Sequence, residues 1–333
     1  MFTHSQDATT LHRRVLRLSL WGALLGLAAS ATAQPAAYPD RPVRIVSVSG
    51  AGTGVDDFTR LAAKYLSDKT GKSFYVENRP GANSILASDH VAKAAPDGYT
   101  LLLAVASAVA ANPYMFKSLP YDANKDLLPI ARMSVVPIVV TVPATSPYRS
   151  LDALLAAARA HPGKLSYGTS TSGYKVMTAA INGLAKVQAL DVPYKSSSGM
   201  LPDLLAGTID YAMLEVSQAV PQVEGGKLRA LAVSSPVRVA ALPDVPTLSE
   251  LGLGDATLTS WLGLFAPAGT PRPIVDKLSL LAVEFVASPE AQAHFARRGT
   301  SAYPAASGEF AKAIREDQAR WKHYITTTGL QPE

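Results

Sequence analysis

The chain has 333 residues, a net charge of +5 and no cysteine, which excludes disulfides, thiolate nucleophiles and thiolate metal sites. Three arginines against one aspartate in the first thirty-odd residues carry +2 of that charge, leaving about +3 for the rest, a weak bias towards anions. No cluster of Lys and Arg with interleaved aromatics points to nucleic acid.

The first segment reads as an export leader: Arg13, Arg14 and Arg17 precede an apolar run from Leu18 to Ala29, and Ala31-Thr32-Ala33 fits a small-residue cleavage site. Residues 1–33 are therefore expected to be a signal peptide, with the mature chain starting near Gln34. The apolar run is about 12 residues, short of the roughly 20 that span a bilayer, so cleavage is expected rather than anchoring. Arg13-Arg14 followed by Val15-Leu16-Arg17 is loosely of twin-arginine form; the residues do not separate that route from ordinary secretion.

The remaining chain alternates β-branched runs with helical stretches and Gly/Pro punctuation, the pattern of an α/β protein with material for two domains. Val43–Val48 reads as a strand and Ser49–Gly54 as a loop, after which Phe58, Leu61, Ala62, Tyr65 and Leu66 recur with helical period. Thr53 with Asp56 three residues on suits a helix cap. Strands at Ser73–Glu77 and Thr100–Ala106 and a helix at Ser84–Ala94 complete a β-α-β-α-β series.

Another strand, Pro137–Val142, leads into Pro143 and Pro147, read as the crossing between domains. A second alternating series follows: helix Ser150–His161, strand Leu165–Gly168, helix Gly173–Lys186, strand Ala189–Val192, helix Gly199–Ala206 and strand Ile209–Leu214. Ser217–Gly225 and Arg229–Ser234 repeat the alternation, Thr259–Phe265 reads as a strand returning to the first domain, and the remainder as mostly helical.

Three strand-to-helix loops are candidate sites. Gly50-Ala51-Gly52-Thr53-Gly54, with Glu77 ending the next strand, imitates a dinucleotide fingerprint, but the third glycine position is Val55. A reading without cofactor is that the glycines let the backbone approach a ligand while the helix N-terminus attracts a carboxylate; the alternative is a tight turn that binds nothing. Thr169-Ser170-Thr171-Ser172-Gly173 is rich in hydroxyls, but Gly168–Gly173 is not G-x-S-x-G, and the downstream histidines His294 and His323 lie inside helical patterns. The stretch Tyr194–Gly199 either closes over a ligand or is a solvated turn. The six histidines show no metal-ligand spacing, so neither metal nor cofactor is expected.

From Glu77-Asn78-Arg79-Pro80-Gly81-Ala82 onward the chain resembles the Bug-type periplasmic binding proteins associated with tripartite tricarboxylate transporters, the TctC family. The resemblance is carried also by Tyr38-Pro39-Asp40-Arg41-Pro42, Ala95-Pro96-Asp97-Gly98-Tyr99-Thr100-Leu101, Leu119-Pro120-Tyr121-Asp122, Val192-Pro193-Tyr194-Lys195, Gly226–Val233, Leu242–Thr247 and Trp261–Pro271, in order over essentially all of the mature chain. It implies an α/β Venus-flytrap fold of the two-domain periplasmic-binding-protein type, with residues 38–141 plus 260–333 as one domain and 142–259 as the other. It also implies a monomer that captures a small organic carboxylate and passes it to membrane permease subunits or to a sensor.

The family's ligand positions map onto Ser47, Ser49, Gly50, Ala51, Gly52, Thr53 and Asp56 in the first loop, and onto Ser107 and Ala108 after the third strand. In the second half they fall on Thr169, Ser170, Thr171, Ser172, Gly173, Tyr174 and Lys175, with Tyr194 and Leu214 at strand ends. The first loop departs from the family's usual P-F-P-P-G-G, Tyr174-Lys175 and Met177 stand where small residues and a histidine are common, and Leu214-Glu215 stands where amino-acid-binding relatives present an aspartate. These departures favour a di-acid or an aromatic acid such as a terephthalate-like compound, with Lys175 pairing a second carboxylate and Tyr174 stacking on a ring. The competing class is an exported nucleotide-dependent oxidoreductase or serine hydrolase.

Overall fold

The β-branched run after Pro42 forms strand β1 (Val43–Ser47), paired in parallel with β2 (Phe74–Asn78) and β3 (Thr100–Val105) in the computed structural model. Residues 38–235, 238–258, 260–327 and 331–332 are described; the expected leader, 1–33, lies outside them. Helix α1 (Gly54–Thr70) links β1 to β2. It buries Phe58, Ala62 and Leu66, as the helical period requires, and stops at Gly71, whose φ of 68° is left-handed. Helix α2 (Ile85–Ala92) leads to β3, beyond which a π-helical turn, Ser107–Ala111, runs into the short α3 (Asn112–Met115).

The chain then adds β4 (Leu127–Val136) to the first sheet and, after a single residue, β5 (Ile138–Pro143) to a second one. Pro137 is thus where the chain changes sheets. The expected boundary at 142 lies at the far end of β5, because the all-buried apolar run Ile138–Val142 carries no mark of which sheet it joins. Its hydrogen bonds go instead to β8 (Tyr211–Glu215) and β9 (Leu228–Ser234). Proline has no N–H to offer a ladder, and the Pro137 carbonyl accepts from Val216 N at 3.1 Å.

The second sheet is built from α4 (Leu151–Ala160), β6 (Ser166–Thr169), α5 (Ser172–Leu184), β7 (Leu190–Pro193), α6 (Ser197–Ala206), β8, α7 (Val216–Glu224) and β9. Its strand order is β7-β6-β8-β5-β9. The return strand β10 (Ser260–Pro267) then enters the first sheet between β4 and β3, followed by α8 (Arg272–Ala287), α9 (Pro289–Arg298), β11 (Ser301–Ala306) and α10 (Ser307–Thr327). The first sheet reads β11-β4-β10-β3-β1-β2.

Both sheets are mixed. The βα units pair in parallel, while β4, β5 and β10, which carry the chain between sheets, make antiparallel pairs. Each sheet has its own core. On one face of the first, Trp261 packs edge-on against Phe310 of α10 at 5.0 Å, and its indole N–H reaches Asp317 at 2.6 Å. On the other face Phe58 meets Phe285 at 5.4 Å. The second core gathers Val139, Met200, Leu204, Ala212, Leu214 and Val233. Full burial of each such aliphatic or aromatic side chain contributes ~1.5–3 kcal/mol. No helix among the described residues is long and apolar enough to cross a membrane.

Candidate functional site

The loop between β1 and α1 is held from inside. Thr53 caps α1 by accepting from Asp56 N at 3.2 Å and gives its hydroxyl proton to Gly50 O at 2.9 Å, so Ser49 Oγ, 2.8 Å away, is the donor to Thr53. Asp56 is 2 % exposed and accepts from Gly52 N at 2.9 Å, Arg60 Nε at 3.0 Å and Asn78 Nδ2 at 2.7 Å. Burial pushes its carboxyl pKa up, but the hydrogen bonds from Asn78, Gly52 and Arg60 outweigh that and hold it below the usual aspartate range. Gly52 makes its bond with φ at +78°, where a side chain would strain the backbone.

Asp56 and the fully buried Ser47 therefore frame the loop, with Ser47 Oγ accepting from Ser49 N at 3.4 Å. Ala51, Gly52 and Thr53 are exposed, and Ser49 and Gly50 half-buried. After β3, Ser107 is half-buried, whereas Ala108 is fully buried, with its carbonyl taking the Tyr121 hydroxyl at 2.6 Å.

In the second half Thr171 caps α5, accepting from Tyr174 N at 3.3 Å. Thr169 is buried and donates to Asp191 Oδ1 at 2.6 Å, while Ser170 and Ser197 share a hydroxyl contact at 3.0 Å. Ser172 opens α5. Lys175, expected to meet a ligand carboxylate, has Asp191 Oδ2 3.5 Å from its Nζ. Tyr174, expected as an aromatic wall, is 7 % exposed, with its hydroxyl 3.3 Å from Glu215 Oε1. Burial and the neighbouring Glu215 raise the Tyr174 pKa well above its ordinary value, so the phenol is the donor. Tyr194 gives its hydroxyl to Asp203 at 2.6 Å, within the second half. The Leu214 side chain is fully buried in the second core.

The two halves meet where these loops end. A Cβ on Gly173 would lie 3.4 Å from Ser107 Cβ, and one on Gly54 would lie 3.9 Å from Ser217 Oγ. Beside the second contact is a cavity of about 20 Å³, bordered by Gly54, Ser134 and His294 of the first half and Glu215 and Ser217 of the second. That volume suits a single water. Ser134 is 1 % exposed and its Oγ has no hydrogen-bond partner among the described residues. Burial raises the Glu215 pKa, against the lowering effect of hydrogen bonds from Tyr174 and Ser217.

The structure thus brings Ser107 and Gly173 together across the seam and adds Ser134, Ser217 and His294, which sequence reasoning did not select for it. Only strand alternation carried a signal: Leu214 and Glu215 point opposite ways, so with Leu214 in the core Glu215 must face outward. No group of three or more His, Asp or Glu among the described residues has a metal-binding arrangement.

Two alternating αβ halves joined by two crossings, with capped helix N-termini meeting at the seam, describe a binding-protein scaffold, and the sequence bears a family signature. Residues 58–330 match the family described as "Tripartite tricarboxylate transporter family receptor". The chain belongs to that family. Its members are solute-binding receptors and not enzymes, so the oxidoreductase and hydrolase readings fall away.

Among TctC relatives, protein BugT of Bordetella pertussis is 31% identical over 317 residues, covering 94% of this chain and 97% of the relative. Among solved structures, Rpa4515 of R. palustris with adipate superposes with a TM-score of 0.82 at 30% identity, covering 89% of this chain and 100% of that one. MatC of Rhodopseudomonas palustris with bound malate gives a TM-score of 0.77 at 28% identity, covering 86% and 100%.

Proposed function

We propose that the chain is a periplasmic receptor that captures a small dicarboxylate at the seam between its two halves. The observation carrying this reading is that two capped α-helix N-termini, one in each half, reach the other half: Gly54, next to the cap Thr53, approaches Ser217, and Gly173, in the helix capped by Thr171, approaches Ser107. Unpaired backbone N–H groups and the helix dipole favour a carboxylate at such ends. One end in each half suits a ligand with two carboxylates, and adipate and malate, bound by the neighbours Rpa4515 and MatC, are both of that kind.

In this reading Ser49, Thr53, Ser107, Ser170 and Thr171 supply hydroxyls, and Gly50, Gly52 and Gly173 bring the backbone close. Ser47, Asp56, Thr169 and Tyr194 hold the loops. Since Asp191 offsets Lys175, the second carboxylate is met chiefly by amides and hydroxyls. The halves act as two domains hinged where the chain passes between the two sheets, as at Pro137, closing on ligand by differential affinity for the closed form. The leader 1–33 directs export, and the closed protein delivers its ligand to the permease subunits of a tripartite transporter.

A thermal-shift screen of adipate, malate, terephthalate, amino acids and NAD tests this. A ligand at a hundredfold excess over its Kd adds roughly 2.7 kcal/mol. Stabilisation by a dicarboxylate, lost in Thr171→Ala, is expected. Stabilisation by NAD or an amino acid, with every dicarboxylate silent, would overturn the reading.

A further inference from the structure

On the flank of the molecule, between α10, β11 and both crossings of the chain, lies a cavity of about 1120 Å³. It is separate from the seam, shares no lining residue with the small cavity there, and is of the size that takes a drug-like ligand. Among the described residues three guanidiniums line it, together with the carboxylates of Asp255, Glu316 and Asp317. Arg320 is paired with Asp317 and Arg238 with Glu250. Arg132 instead lies 3.8 Å above the ring of Tyr303 and donates Nε to the Tyr303 carbonyl at 3.1 Å. Among the described residues no carboxylate is within ion-pair distance of it. Asp317 and Glu309 act on it only from farther away, so the part-buried cation keeps part of a desolvation penalty that an anionic ligand relieves. Its burial lowers the Arg132 pKa accordingly.

The rest of the wall selects the ligand's body. Tyr303 continues the Arg132 platform as a half-exposed ring, Trp261 and Tyr324 add aromatic surface and Val239 aliphatic surface. Thr257 also borders the cavity, with a hydroxyl that has no hydrogen-bond partner among the described residues. One guanidinium without a direct ion pair, a spare hydroxyl and aromatic walls match a single carboxylate on a flat apolar body. We propose that this cavity is a second binding site, for a small aromatic monocarboxylate. Because Pro137 and Ser235 also border it, its occupant touches both segments where the chain passes between sheets and thereby biases how the halves close.

Isothermal titration of the purified protein with benzoate tests the site. Benzoate binds wild type, and affinity falls about tenfold or more in Arg132→Gln, the loss of one charge-assisted contact. It falls also in Tyr303→Ala, whose half-exposed ring can be removed without a core defect, and is unchanged in Thr171→Ala. No binding to wild type at millimolar benzoate overturns the proposal, as does binding indifferent to both Arg132→Gln and Tyr303→Ala. Binding that depends on Thr171 instead assigns benzoate to the seam and also overturns it. None of these outcomes bears on whether a dicarboxylate occupies the seam.

Discussion

The Tyr174 hydroxyl lies 3.3 Å from Glu215 Oε1, joining the first turn of α5, which carries the second-half loop, to the carboxylate that borders the seam. Burial raises the Glu215 pKa above its ordinary value of 4.5. A carboxyl raised in the folded state gives stability that is full below its unfolded pKa and declines as pH rises towards the folded one. Glu215→Gln is therefore expected to flatten the decline of melting temperature above pH 4.5, while Tyr174→Phe steepens it by removing the donor that helps the ionised form. A pH series of melting curves on the three proteins decides; identical slopes would rule this out.

Asp56 works in the opposite sense. Its pKa is held below 3.8, so its contribution is present above the unfolded value and is lost as pH falls through the folded one. Asp56→Ala leaves Gly52 N without its acceptor and Asn78 Nδ2 with only the Ser49 carbonyl, and is expected to cost about 2–4 kcal/mol in urea denaturation. Ligand affinity should fall with it, because the loop carrying Ser49 and Thr53 loses its frame. A variant with unaltered stability would show that the three bonds are dispensable.

Two glycines separate fold from seam. A Cβ at Gly263 would come 2.4 Å from the Phe310 ring, an overpacking worth about 1–3 kcal/mol, so Gly263→Ala should lower stability and leave ligand affinity alone. At Gly173 the nearest atom to a new Cβ, Ser107 Cβ, is 3.4 Å away. Gly173→Ala should leave stability nearly unchanged yet weaken ligand binding, because the methyl sits where the halves approach. Melting curves and titrations on both proteins give the comparison, and a reversed pattern would refute it.

Asp191 holds Thr169 and offsets Lys175. Asp191→Asn removes one negative charge from beside the lysine at the start of α5, so a dianionic ligand should bind a few-fold more tightly at low ionic strength, about 1 kcal/mol or less. Salt should erase the gain. Weaker binding at low salt would mean that the hold on Thr169 matters more than the charge.

Local signals were readable in the sequence. The cap Thr53 and the buried face of Phe58, Ala62 and Leu66 depend on residues within two turns, and the structure bears them out. Strands β4 and β11 were missed. The first contains Pro129 and Arg132 and lacks a period-2 alternation, and the second contains Pro304 and is mostly exposed at a sheet edge. The partner of the apolar run Ile138–Val142 was equally hidden, since an all-buried strand carries no mark of which sheet it joins. In the site, loop positions were legible but side-chain engagement was not. Whether Lys175 stands free or meets Asp191 depends on a strand sixteen residues away.

Strand β10 lies between β4 and β3, although more than a hundred residues separate it in sequence from either. During synthesis the second sheet has all its described strands once β9 has emerged, while the first remains split, with β3 lacking one neighbour until Pro267 appears and β4 lacking its full pair until β11 follows. Chains usually fold from the N-terminus as domains are completed; here the later-starting half is finished first. The half whose first strand comes earlier in the chain must wait for nearly all of the described residues, and it keeps the edges of β3 and β4 open for most of that time.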